Sequence, residues 1–188
     1  VYGGGNAADV GSTDVTVNGA YEIGTLCGGG NGSDPNKPGA NVNGQAKATL
    51  HGGKIHVVYG GSNENGDITG GTYVDISDAS STCVLDVGEI YGAGNNAGMQ
   101  GGANIIMGCQ PNSVIEDVYA GAKNADVGGN VSLTITSGKF GRVFGGNKFG
   151  GLLRGSITVN IEESGEGCGT PIVIGELYGG GNLADYSV

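Results

Sequence analysis

The chain has 188 residues, 43 of them glycine, no tryptophan and a formal net charge of −10. Glycine at this level without strict every-third-residue spacing excludes collagen, and acidity with no aromatic-basic cluster excludes the electrostatic footprint of a nucleic-acid binder. No apolar run approaches the ~20 residues of a membrane-spanning helix, no basic segment leading into an apolar one opens the chain, and the four cysteines match no zinc-binding pattern.

In chain order the sequence returns seven times to one phrase: an apolar residue, an aromatic residue and a run of glycine and other small residues, usually followed by asparagine. The copies begin at Val1-Tyr2, Leu26-Cys27, Val58-Tyr59, Ile90-Tyr91, Val118-Tyr119, Val143-Phe144 and Leu177-Tyr178, with Cys27 standing in for the ring once. From ring to ring the steps are 25, 32, 32, 28, 25 and 34 residues, a period that marks a solenoid. Between the phrases lie stretches of alternating apolar residues: Val15 and Val17, Ala46 to Leu50, Val74 and Ile76, Ile105 and Met107, Val131 to Ile135, and Ile157 to Ile161. Their period of two predicts strands.

Three residues before each apolar anchor stands another apolar residue, in the pairs Ile23/Leu26, Ile55/Val58, Val87/Ile90, Ile115/Val118, Phe140/Val143 and Ile174/Leu177. A spacing of three breaks the period of two, so the chain must bend between the paired residues if both are to point inward. One repeat therefore holds an alternating strand, a corner, a short anchor strand ending in the glycine phrase, and a variable loop. No segment shows helical period with caps. The expected fold is all-β, a right-handed parallel β-helix of about six coils, with residues 1–188 forming one domain. Because Val1 lies inside a repeat and no initiator Met is present, the chain reads as an excerpt of a longer one. The competing fold, a globular sandwich, leaves the sixfold corner unexplained.

Two columns follow from stacking such coils. Asn6, Asn31, Asn63, Asn95 and Asn182 lie four residues after the ring or Cys27, with Asn124 and Asn147 displaced by one, and are expected to form an internal amide ladder. Tyr2, Tyr59, Tyr91, Tyr119, Phe144 and Tyr178 form a second column, which alternation turns outward. It is either a stack that stabilises the coil or an exposed aromatic strip for binding sugar rings or protein. Cys27 fits this column as a small hydrophobe. Cys83 and Cys109 precede their rings by 8 and 10 residues. That places them in matching loops of adjacent coils, at a rung spacing of ~4.8 Å that suits a disulfide. Cys168 lies two coils from Cys109 and is expected, like Cys27, to stay reduced.

The chemistry is thinner. Enzymes of β-helical fold that cleave acidic polysaccharides need clustered carboxylates and a basic residue, yet His51 and His56 have no acidic neighbour in sequence and read as solvated. Asn63 to Asp67 resembles a calcium loop in composition but lacks the ligand order, so no catalytic group, metal or cofactor is expected. An ice-binding face is also disfavoured, because the outward column Thr16, Thr49, Asp75, Thr134 and Asn160 is mixed.

The Val-Tyr-Gly-Gly-Gly-Asn phrase, its alternating strand and its corner resemble the Gly-rich β-helical repeats of large bacterial surface and secreted proteins, including adhesin-like and autotransporter-passenger-like proteins. The resemblance runs from Val1 to Asn182. It implies an extracellular or cell-surface, non-catalytic, structural or adhesive module or filament. The implied partners are a glycan or a host or bacterial surface protein. End-to-end self-association is expected separately, because neither end coil carries a charged or helical cap and both present strand edges. The alternative function is a carbohydrate-active enzyme, a polysaccharide lyase or hydrolase.

Overall fold

The computed structural model describes the chain except for residues 20, 35, 37, 38, 77–83, 110, 164–169, 187 and 188. Its twelve strands are β1 (Thr13–Val17), β2 (Glu22–Cys27), β3 (Ala46–Leu50), β4 (Gly53–Tyr59), β5 (Thr72–Asp75), β6 (Leu85–Tyr91), β7 (Ala103–Met107), β8 (Val114–Tyr119), β9 (Val131–Ile135), β10 (Gly138–Phe144), β11 (Ile157–Ile161) and β12 (Ile172–Tyr178). Odd-numbered strands form one six-stranded sheet and even-numbered strands another, each in the order of the chain. Every pairing is parallel. The fold is thus an all-β solenoid, with no helix among the described residues.

The alternating stretches form the odd sheet in the expected register, with Val15, Ala48, Val74, Ile105, Leu133 and Val159 in one inward column. The mixed outward column is also real: Thr16, Thr49, Asp75, Thr134 and Asn160 align, with Ile106 completing the row. The corner is a bend within one continuous strand. In β6, Val87 and Ile90 are both buried although three apart, and the register between β4 and β6 passes from Ile55↔Val87 to Val57↔Glu89, leaving His56 opposite Gly88 at the bend. The even strands therefore turn an outward concavity to solvent along the bend.

The third side of each coil is shorter than a strand. Isolated parallel bridges join Val10 to Val42, Val42 to Ile68, Met99 to Val127, Val127 to Leu153 and Leu153 to Tyr186. Val42, Ile68, Val127 and Leu153 are almost wholly buried there. Side chains beside this column close it coil by coil. The Asp9 carboxylate accepts from the Asn41 backbone N–H and amide, and Asp126 accepts from the Leu152 N–H and the Arg154 guanidinium. The Leu152 N–H, and after it Arg154, hold the Asp126 carboxyl below its usual value against the opposing effect of desolvation.

Cys27 is a buried free thiol, and Cys109 is disulfide-bonded. Burial pushes the Cys27 thiol up to about 12, which makes it inert at neutral pH. Cys83, the expected partner of Cys109, and Cys168 lie outside the described residues. Peptide mapping without reductant is expected to recover a Cys83–Cys109 linked peptide, with a bridge over this span contributing roughly 3 kcal/mol. A Cys109–Cys168 peptide would refute that pairing.

Candidate functional site

The aromatic column is not a bare strip. Tyr59, Tyr91, Tyr119 and Phe144 are at most 3% exposed, and with Cys27 they form a second buried cluster separate from the main core. Only the end members Tyr2 and Tyr178 are substantially exposed. Alternation does turn the rings away from the main core, but they are covered by one another and by the turn that follows the glycines. Successive centroids from Tyr59 to Tyr178 lie 5.0, 5.0, 4.7 and 4.7 Å apart, with planes within 18° of parallel. That spacing is the strand separation itself. The expectation of an exposed binding strip is therefore corrected: the column is a ladder.

The asparagine column is present from Asn6 to Asn95. Asn31 donates to Asn6 at 2.7 Å, Asn63 to Asn31 at 2.9 Å and Asn95 to Asn63 at 2.9 Å. In the next two coils the column is occupied by Lys123 and Lys148, not by the displaced asparagines. The Lys123 N–H donates to the Gly94 carbonyl, as the Asn95 N–H does to Ser62 and the Asn182 N–H to Asn147. Asn124 falls one column over, 3.5 Å from Asn96. Asn147 falls one column back, where it is 1% exposed. Its Oδ1 accepts from the Ala122 N–H at 2.7 Å, and its Nδ2 lies 3.0–3.3 Å from the carbonyls of Ala125, Gly150 and Gly151. Ser62 has the matching role three coils nearer the N-terminal end, where its hydroxyl accepts from the Gly30 N–H.

Both lysines reach two coils back along the ring column. The Lys123 ammonium donates to the Tyr59 hydroxyl at 3.3 Å, and that of Lys148 pairs with Glu89, which also accepts from the Tyr91 hydroxyl at 2.9 Å. Lys148 passes over the Tyr119 ring on the way, 5.3 Å from its centroid. Desolvation alone would raise the Glu89 pKa. The hydrogen bonds from Lys148 and Tyr91, with the charges of Lys148 and Lys123, outweigh it and hold the carboxyl below its ordinary 4.5. Because the folded value is depressed, the pair's contribution is full above the unfolded value and is lost as pH falls through the folded one. Lys148→Met is accordingly expected to cost about 2–3 kcal/mol at pH 7, since it leaves a half-buried carboxylate unpaired. The cost should shrink as pH falls through the depressed folded-state value and Glu89 protonates. Urea melts of both proteins across this range check the sign: a cost independent of pH would contradict the pairing.

An open concavity runs along the bend of the even sheet. Two stretches of it are cavities of about 470 and 500 Å³, the first around Glu116, Asp117, Lys139 and Arg142, the second around Lys54, His56, Asp86, Glu89 and Glu116. Carboxylates thus do share one face. Asp117 is bound by Arg142, with Nε–Oδ1 at 2.8 Å and Nη2–Oδ2 at 2.5 Å. His56, without an acidic neighbour in sequence, lies 3.3 Å from Glu22 of the coil before it. That contact joins residues 34 apart, so only the coil register reveals it. Among the described residues no three His, Cys, Asp or Glu side chains converge as metal ligands would. No family model, curated protein or solved structure matches the chain.

Proposed function

We propose that the chain is a structural and adhesive β-solenoid module of a bacterial cell-surface or secreted protein or filament, and that it is not an enzyme. The observation supporting this most is where the chemically capable side chains go. The rings stack on each other, the amides bond to the next coil, Asp117 is taken up by Arg142, and Glu89 is held as an anion by Lys148. A carboxylate held ionised is a poor general acid at neutral pH. The Gly-rich repeat resemblance favours the same reading. It also favours an extracellular location with a glycan or surface protein as partner. The outermost strands β11 and β12 leave Ile161, Val173, Leu177 and Tyr178 exposed, which favours end-to-end association of isolated chains.

The second reading, a polysaccharide lyase or hydrolase, is favoured by one observation: Asp86, Glu89 and Glu116 line a single groove. Incubation with a panel of acidic and neutral polysaccharides separates the two. Unchanged reducing ends, with retention on a glycan or protein array, are the expected result. Release of reducing ends that Glu116→Gln abolishes would overturn the proposal.

A further inference from the structure

Asparagine followed by glycine is a labile dipeptide, because glycine has no side chain to keep its backbone nitrogen away from the amide carbon before it. The sequence holds four such pairs, Asn18-Gly19, Asn31-Gly32, Asn43-Gly44 and Asn65-Gly66. The dipeptide alone does not rank them. Their coils hold them very differently.

Attack on the amide needs an unengaged side chain, a free glycine N–H and room for the backbone to turn. Asn31 meets none of these conditions. Its Nδ2 donates to Asn6 at 2.7 Å and to Ser33 at 2.8 Å, the Gly32 N–H donates to the Asn6 carbonyl, and a Cβ on Gly32 would lie 2.2 Å from the Asn65 carbonyl oxygen. Asn65 donates its amide to the Gly32 carbonyl at 2.8 Å, and the Cβ position of Gly66 is 2.4 Å from the Ala40 carbonyl oxygen. The Asn43 side chain has no partner among the described residues. Its backbone is nevertheless pinned: the N–H donates to Val10, the carbonyl accepts from the Thr69 hydroxyl, and Ser12 Oγ lies 2.3 Å from the Cβ position of Gly44. Asn18 differs from all three. It is exposed between β1 and β2, and neither its amide nor the Gly19 N–H has a hydrogen-bond partner among the described residues. A Cβ on Gly19 would meet only the Tyr21 ring, no nearer than 3.5 Å, so the attacking nitrogen has open space around it. Gly19 turns the chain there with φ at +103°, which glycine adopts without strain.

We infer that Asn18 is a site of spontaneous modification, converting through a succinimide to aspartate and isoaspartate, while the fold protects Asn31, Asn43 and Asn65. The Gly19 nitrogen gives its proton to hydroxide and bonds to Asn18 Cγ. The Cγ–Nδ2 bond breaks, and Nδ2 leaves as ammonia with a proton taken from water. Water then opens the imide at either carbonyl carbon, which leaves a side-chain carboxylate or a main chain that runs through Cγ. Nothing is oxidised or reduced. The product carries one more negative charge and, as isoaspartate, one more backbone atom. Both fall in the connection between β1 and β2, outside every strand pairing, so the coil keeps its register. The same change at Asn31 would cut the amide ladder. The inference does not depend on the adhesive reading.

The test is ageing of the purified 188-residue chain in mildly alkaline buffer, both folded and in urea. Peptide mapping by mass spectrometry and methyl transfer by an isoaspartate-specific methyltransferase read the products. In the folded chain the Asn18 peptide should gain the amide-to-acid mass and split into two elution positions. It should do so roughly tenfold or more faster than the peptides of the other three pairs, which convert only when their coils open locally. In urea the four should convert at comparable rates, because glycine follows each of them. Asn18→Gln, a change at an exposed side chain without partners, should remove most of the folded chain's methyl acceptance and leave its urea melt unchanged. Conversion at Asn31, Asn43 or Asn65 as fast as at Asn18 would overturn the inference. So would an Asn18 peptide that stays intact in the folded chain while converting in urea. An order of rates that persists in urea would also overturn it, since neighbouring sequence and not the fold would then set the order.

Discussion

Tyr91→Ala is expected to destabilise the fold by about 3–5 kcal/mol, the cost of deleting a large buried aromatic side chain. Tyr91 is wholly buried, stacks on Tyr59 and Tyr119 at 5.0 Å each, and donates its hydroxyl to Glu89. The variant breaks the ladder at its centre and leaves Glu89 with one partner fewer. Tyr178→Ala is expected to cost about 1 kcal/mol or less, because its ring is 45% exposed and stacks on one side only. The hydroxyls sort the tyrosines a second way. That of Tyr119 is buried without a partner, since the nearby carboxylate of Asp117 is taken by Arg142. Tyr119→Phe should therefore be neutral or stabilising, whereas Tyr91→Phe should cost about 1–2 kcal/mol. Urea unfolding of the four variants checks the series, and equal small effects for Tyr91→Ala and Tyr178→Ala would return the column to the surface.

Asn147→Leu is expected to cost about 3–5 kcal/mol, close to the ring deletion although it removes no apolar surface. One side chain serves the Ala122 N–H and the carbonyls around the next turn, and nothing else reaches them from that 1%-exposed position. Leucine would leave the N–H orphaned away from water, at about 1–3 kcal/mol per buried unpaired group. Asn147→Ser should recover part of the loss, because Ser62 already supplies that acceptor to the Gly30 N–H in an earlier coil. Serine cannot reach the carbonyls, so an intermediate melt is the expected outcome. If leucine and serine prove equally harmless, the amide does not carry the turn.

What could be read from the sequence was whatever each coil repeats at the same position. Parallel coils place equivalent residues in columns one strand spacing apart, so aligning the phrases is already a contact map. The inward columns of both sheets, the bend at Ile55-x-x-Val58 and its copies, the amide ladder from Asn6 to Asn95 and the buried thiol at Cys27 all follow from that. Alternation also gave the direction of the rings. It could not say what covers them.

That cover was decided only by the tertiary structure, because it depends on the path of the turn after each glycine run and on side chains long enough to skip a coil. Lys123 and Lys148 stand in the asparagine column, where the sequence suggests a ladder displaced by one, and each reaches two coils back to close the ring column. The contact of Lys148 with Glu89 joins residues 59 apart, and that of His56 with Glu22 residues 34 apart. No local period encodes such pairs. The third side is likewise a product of packing: one bridging residue per coil is too short to leave a strand pattern, yet Val42, Ile68, Val127 and Leu153 are buried by it. The groove that brings His56, Gly88 and Glu116 together has the same origin, since it exists only once three coils are stacked in register.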